Sequence, residues 1–349
     1  MIAAYSETAG GVFTAMSVSF IILSGLIIIH EAGHYLAARH VGINVIEFGL
    51  GYPPRIIGRM WRGTLFSLNI IPFGGFARML GEGRESDLPG SFASKSLSSR
   101  AFVLIAGPIM NLLAAPLLFA GAAMIADIDG VQVVRIEMES PAEAAGIQVG
   151  DIIREIDGVA VPLPGDVGSR VALGAGSTIL LGLERNGQMV ELTAMPRIVH
   201  PSDEGPLGVG IDIHLAPKAP LDAVRSGIQR TINAIVLLPG LIIEAAGSEQ
   251  GLELAGPVGI VDIVGQAARQ GPEILLLLAG FLATQLFLFN LMPWPALDGG
   301  RLVLIGLEAI RGKPLSAERE GAINFVGIAL LLLLAVVVTV GDIRRLVSG

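Results

Sequence analysis

The sequence predicts an α-helical polytopic membrane protein with four transmembrane helices, a membrane-associated β-hairpin region and an inserted α+β domain. Three observations carry that prediction. The 349 residues are 52% hydrophobic and only 15% charged, with a mean hydropathy of +0.69, far from an average soluble domain. Four apolar runs, at ~12–38, ~101–125, ~273–295 and ~322–341, are each near the ~20 residues that a spanning helix needs. Between the second and third runs lies a polar stretch with short alternating β-formers.

Composition also excludes some functions. Cysteine is absent, so disulfide and thiol chemistry are excluded. A net charge of −8 argues against nucleic acid as a general partner. The first residues, MIAAYSETAGG, lack the basic segment of a cleavable signal peptide, so the first apolar run is expected to stay as a helix.

Loop charges set the expected orientation. Arg39, Arg55, Arg59, Arg62, Arg78, Arg84, Lys95 and Arg100 lie between the first two runs, and Arg301, Arg311, Lys313 and Arg319 follow the third. The N-terminal tail carries no Lys or Arg, so both basic loops are expected in the cytoplasm and the tail outside. Arg344 and Arg345 run weakly against this assignment. A fifth apolar segment, 228–246, is broken by Pro239 and Gly240 and bracketed by Arg225, Arg230 and Glu244, which suits a helix lying in the interface.

The first basic loop carries a β-rich stretch at 44–79, with Val45, Phe48, Ile57, Phe66 and Ile70 among its β-formers. A hairpin or small sheet dipping toward the membrane is expected, with Gly49 to Pro54 as one turn and Pro72 to Gly75 as another. The alternative is an amphipathic cytoplasmic loop with no catalytic part.

The first apolar run ends in HEAGH. On a helix, His30 and His34 lie one turn apart on one face, with Glu31 beside them. Two imidazoles and an adjacent carboxylate form the H-E-x-x-H pattern of zinc hydrolases. The residues follow an uncharged run from Val12 to Ile29, and ionisable groups at membrane depth are costly and usually functional. The alternative is a plain helix end meeting the headgroups.

The third run leads into NLMPWPALDGG, where two prolines and two glycines break the helix. Asp298 thus sits on the same membrane side as the two histidines. If 228–246 crossed the membrane, Asp298 would emerge opposite them. Two histidines and one carboxylate leave a fourth metal position open, as in catalytic sites. A cap or turn residue in an Asp-Gly pair is the alternative for Asp298.

In the polar insert, SPAEAAG offers Ser140 as a helix cap and Pro141 at the first helical position, and Asp157-Gly158 suits a hairpin turn. Residues 126–198 resemble a PDZ domain of the bacterial protease-associated kind. That resemblance implies binding of peptide ends or strands at a sheet edge, with a purely steric role as the alternative.

HEAGH, GPIMN at 107–111, the PDZ-like insert, AGPVGI at 255–260 and NLMPWPALDGG together resemble the site-2 protease family of intramembrane zinc metalloproteases. Within it, the chain is most similar to the bacterial branch that cleaves anti-sigma factors, although it has room for one PDZ domain and enterobacterial members carry two. The resemblance implies one Zn²⁺ held by His30, His34 and Asp298, Glu31 as general base, and Asn290 near the substrate strand. It also implies that Asn111 lies close to the site, with helix packing as the alternative. Other divalent ions suit the same donors. Single-pass membrane proteins, including anti-sigma factors or remnant signal peptides, are the implied substrates, with the lipid bilayer as the surroundings. The implied location is the bacterial inner membrane, with the N-terminus and PDZ-like domain extracytoplasmic and the active site toward the cytoplasm. A membrane metal carrier and a catalytically silent PDZ scaffold are the competing functions. The expected domains are 1–125, 126–198, a linker with the interfacial helix at 199–272, and 273–349.

Overall fold

The computed structural model describes residues 9–82, 88–201, 204–247, 256–313 and 315–348. Arg84 and Ala255, used above for orientation and for resemblance, lie outside the described residues. The chain divides into two compact units, one of Met1–Ala122 with Pro220–Gly349 and one of Ala123–Ala219.

In chain order, α1 (Ala9–His40), β1 (Val45–Trp61), β2 (Thr64–Met79) and α2 (Leu97–Ile125) come first. The second unit holds β3 (Asp127–Ile136), α3 (Pro141–Ala145), β4 (Ile152–Ile156), β5 (Val159–Ala160), α4 (Pro164–Leu173), β6 (Ile179–Arg185), β7 (Gln188–Ala194) and β8 (Val209–Ala216). Then follow α5 (Pro220–Gly247), α6 (Pro257–Gln270), α7 (Pro272–Leu291), α8 (Asp298–Arg311) and α9 (Ala317–Ser348).

Four helical stretches are long and apolar enough to cross a membrane: Gly10–His40, Leu97–Ile125, Pro272–Leu291 and Ala317–Arg344. These are the four expected spans. The third stops at Leu291 rather than near 295, because Pro293 forces Met292 out of helical geometry, to φ −61 and ψ 141. α5 contains the fifth apolar segment and is not among the candidate spans.

β1 and β2 form one sheet in which each strand folds back near its middle, so that the two outer seams are antiparallel and the central one runs parallel. Glu47 to Leu50 pair on one side with Leu65 to Leu68 and on the other with Gly75 to Arg78. Four runs therefore lie side by side, in the order 55–61, 64–69, 45–50 and 75–79. The expected turns at Gly49–Pro54 and Pro72–Gly75 fall inside the strands, at these folds. A further reversal at Arg62-Gly63, both with positive φ (48 and 82), joins β1 to β2. β2 packs along α1. Tyr35 of α1 meets both Phe48 and Phe66 edge-on, with ring centroids 5.7 Å apart in each case.

The second unit is an α+β sheet with strand order β7-β6-β4-β3-β8, and β5 pairs with β4. Its core is made by inward positions such as Val131, Val133, Ile153, Ile156, Leu181 and Leu183. Ser140 accepts a hydrogen bond from the Glu143 amide (3.1 Å) and Pro141 opens α3, as the sequence suggests. Gly146 closes α3 in the left-handed conformation at φ 79. β8 lies beyond the expected limit at 198, and the alternation of Val209, Ile211, Ile213 and Leu215 is the signal for it.

Candidate metal centre

α1 brings His30 and His34 to one face, and the two rings meet edge-on with centroids 4.7 Å apart. Their Nε2 atoms are 3.1 Å apart. Asp298 opens α8 and places Oδ2 3.2 Å from each of these nitrogens. All three side chains are nearly buried, and one ligand atom from each lies within 4.8 Å of the others. The three expected ligands thus converge, although Asp298 lies 264 positions from His34 (298 − 34).

The chemistry of the donor set asks for a cation. His34 Nδ1 lies 2.8 Å from the Val103 carbonyl, an acceptor, so Nδ1 carries a proton, and the neutral ring presents a lone pair at Nε2. Asp298 Oδ2 has no hydrogen-bond partner despite its burial. Lone pairs aimed at one point without a proton between them repel unless a positive ion sits there. The residues present fit a metal of the kind that imidazole and carboxylate hold.

Asn111 of α2 is fully buried, with its amide 3.5 Å from His30 Nδ1 and its Oδ1 unpartnered. Turning the amide over lets Oδ1 accept from a protonated Nδ1, which fixes the His30 tautomer with Nε2 facing Asp298. In this position Asn111 backs a histidine. Asn290 instead donates to the Leu286 carbonyl (2.8 Å) within its own helix. Glu31 lies close enough to both imidazoles and to Asp298 to feel their charges, and its carboxylate lies near Gly75 and the Ala77 amide of β2. His40 and His200 are exposed and His214 is half-buried in β8; none belongs to the ligand group.

Two close approaches shape the site. A Cβ on Gly107 would enter the His34 ring, and one on Gly33 would strike the Ala106 carbonyl, so bare backbone lets α1 and α2 touch at the ligand. Likewise Gly299 and Gly300 let the first turn of α8 lie against the carbonyls of Leu291, Met292 and Trp294. Sequence reasoning missed the roles of Gly107 and Val103 at the centre. The one available signal was a glycine before Pro108 inside an apolar helix.

Comparisons with known proteins find relatives over nearly the whole chain. A relative in Clostridium perfringens is 35% identical over 330 residues, 93% of this chain and 97% of the relative. Zinc metalloprotease RasP of Oceanobacillus iheyensis is 29% identical over 418 aligned positions, 94% of this chain and 99% of that protein. RasP of Shouchella clausii is 29% identical over 416, covering 94% and 98%. Among solved structures, the PDZ domain of an SdrC-like protein from Listeria monocytogenes matches 26% of this chain and 90% of its own, at 22% identity and a TM-score of 0.20. The corresponding Listeria innocua domain matches 25% and 94%, at 25% identity and a TM-score of 0.21. The sequence model described as peptidase family M50 matches residues 18–334, and the chain therefore belongs to that family, the site-2 proteases.

Proposed function

We propose that this chain is a zinc-dependent intramembrane endopeptidase that cleaves single-pass membrane proteins, anti-sigma factors or remnant signal peptides among them, within or near the bilayer. The observation that carries the proposal is the convergence of two histidine Nε2 atoms and the unpartnered Asp298 Oδ2 beside Glu31. His30, His34 and Asp298 would hold the zinc. When bound, zinc supplies a Lewis acid for the scissile carbonyl and draws the pKa of its water toward ~7.

The chain's own residues do the rest. Glu31 takes the proton from the attacking water at its carboxylate and passes it to the leaving nitrogen. Val103 and Asn111 hold the two imidazoles in the tautomer that presents Nε2. A substrate helix hides its peptide bonds in its own hydrogen bonds, so it must unwind before attack. The 75–79 run is an edge of the sheet and reaches Glu31 through Ala77, which supports its taking the unwound segment as an added strand. Asn290 would then release Leu286 to meet that strand, and Asn111 would act on substrate only through His30.

The basic loops support a cytoplasmic site in a bacterial inner membrane, with the N-terminus and the PDZ-like 126–198 region outside. There the PDZ-like region would bind peptide ends or strands. Residues 1–125 and 273–349 would form the membrane domain, and the part of 199–272 that follows β8 a linker with an interfacial helix.

The test is cleavage of a tagged single-pass substrate by purified protein in detergent, with zinc content measured alongside. Wild type should cleave, and Glu31→Gln should keep its zinc and lose cleavage. Equal cleavage by both proteins would reject the role of Glu31, and a wild type without zinc would reject the metal centre.

A further inference from the structure

A part-buried ion pair links the end of the sheet to the helix that carries Asp298. The Arg301 guanidinium meets Glu82 Oε1 at 2.6 Å, with side-chain exposures of 18% and 26%. Arg301 follows Asp298 by three residues on α8, so the two share one face of its first turn. The other oxygen, Glu82 Oε2, accepts from the Met79 amide at 3.2 Å, where β2 ends. Arg301 also lies over the Phe92 ring, 5.5 Å from its centroid, and the Phe92 amide donates to Leu80 at 2.7 Å. The 75–79 run that ends in these contacts passes Glu31 on its other side, at Ala77.

We propose that Arg301 and Glu82 are a positioning pair that couples the free edge of the 75–79 run to the Asp298 carboxylate, so that a strand added to that edge tightens the metal site. This rests on the reading of the centre as a hydrolase of extended peptide. Arg301 also lies close enough to Asp298 for the two charges to interact. Each acts through what it holds: Glu82 fixes the last amide of β2, and Arg301 fixes the turn that aims Asp298. Such coupling is reciprocal, so metal binding must in turn stiffen the strand. A second, part-buried pair on α8, Arg100 with Glu308 at 2.6 Å, ties that helix to α2. It serves as the control for general loosening of α8.

The experiment measures Co²⁺ affinity and amide exchange on the full chain in detergent, for wild type, Arg301→Gln, Arg301→Lys, Glu82→Gln and Glu308→Gln. In wild type, Co²⁺ should slow exchange at Ala77 to Met79. Arg301→Gln and Glu82→Gln should each weaken Co²⁺ binding about tenfold, the size of a lost supporting contact behind a ligand. They should also abolish the metal-dependent protection of the strand. Arg301→Lys keeps the charge without the planar fork and should recover part of both effects, while showing that the site folds. Glu308→Gln should leave the strand's response intact.

Protection that survives in Arg301→Gln would overturn the proposal, as would an equal loss in Glu308→Gln. A wild type that fails to bind Co²⁺ would instead reject the hydrolase reading. The metal-free comparison then decides the coupling: Arg301→Gln should speed exchange at both Phe76 to Met79 and Gly299 to Gly300, and an unchanged strand would overturn it.

Discussion

The imidazole of His34 occupies the space that a side chain at Gly107 would need. The ligand and the glycine belong to different helices, so the closeness of α1 and α2 at this point is part of the metal centre. Gly107→Ala should displace the ring, at a cost of about 1–3 kcal/mol in overpacking. The expected result is loss of bound zinc from a protein that still folds in detergent, checked by metal content against a thermal unfolding curve.

Asn111 is buried against His30, and with its amide turned over it would accept from Nδ1 and set the tautomer. Asn111→Ala should weaken metal binding by roughly 10–100-fold through the loss of that support. Metal competition with a chelator measures it. Affinity equal to wild type would assign the residue to helix packing alone.

Ala77 lies near Glu31 in the 75–79 run, an edge of the sheet. Ala77→Pro removes a backbone donor from this run, where a substrate strand would add. Cleavage of stable substrate helices should fall further than cleavage of helices already weakened by glycine or proline. Equal loss for both substrate sets would count against strand addition.

The second unit carries its own pH dependence. Burial alone would raise the Asp151 carboxyl, but the Arg185 guanidinium and the Gln148 amide, at 2.7 and 2.8 Å, outweigh it and hold the pKa below the ordinary carboxylate value. A depressed folded pKa contributes stability above the unfolded value of about 3.9, and that stability is lost as pH falls through the folded value. Arg185→Met should therefore lower the unit's resistance to denaturant at pH 7, with the gap to wild type closing below about pH 4. Denaturant midpoints read from the Ile152 to Ile156 amides of the full chain would show it.

The sequence by itself determined the membrane class, the four spans and the ligand types. Apolar run length and the HEAGH spacing are local properties, and a helix turns them directly into position. It also determined the cap at Ser140, because capping is settled within four residues. The sheet was legible only as β-rich composition. Its folding into four runs depends on pairings between segments distant in the chain, and Glu47 to Leu50 must be shared by two partners.

Tertiary structure alone decided that Asp298 starts a new helix and that its oxygen reaches both imidazoles. It also decided that Asn111 backs His30 and that Glu82 meets Arg301 across 219 residues. The physical reason is the same in each case. A donor or acceptor type can be read from a residue, but its partner is chosen by where packed helices let backbones touch, as Gly107 and Gly299 do here.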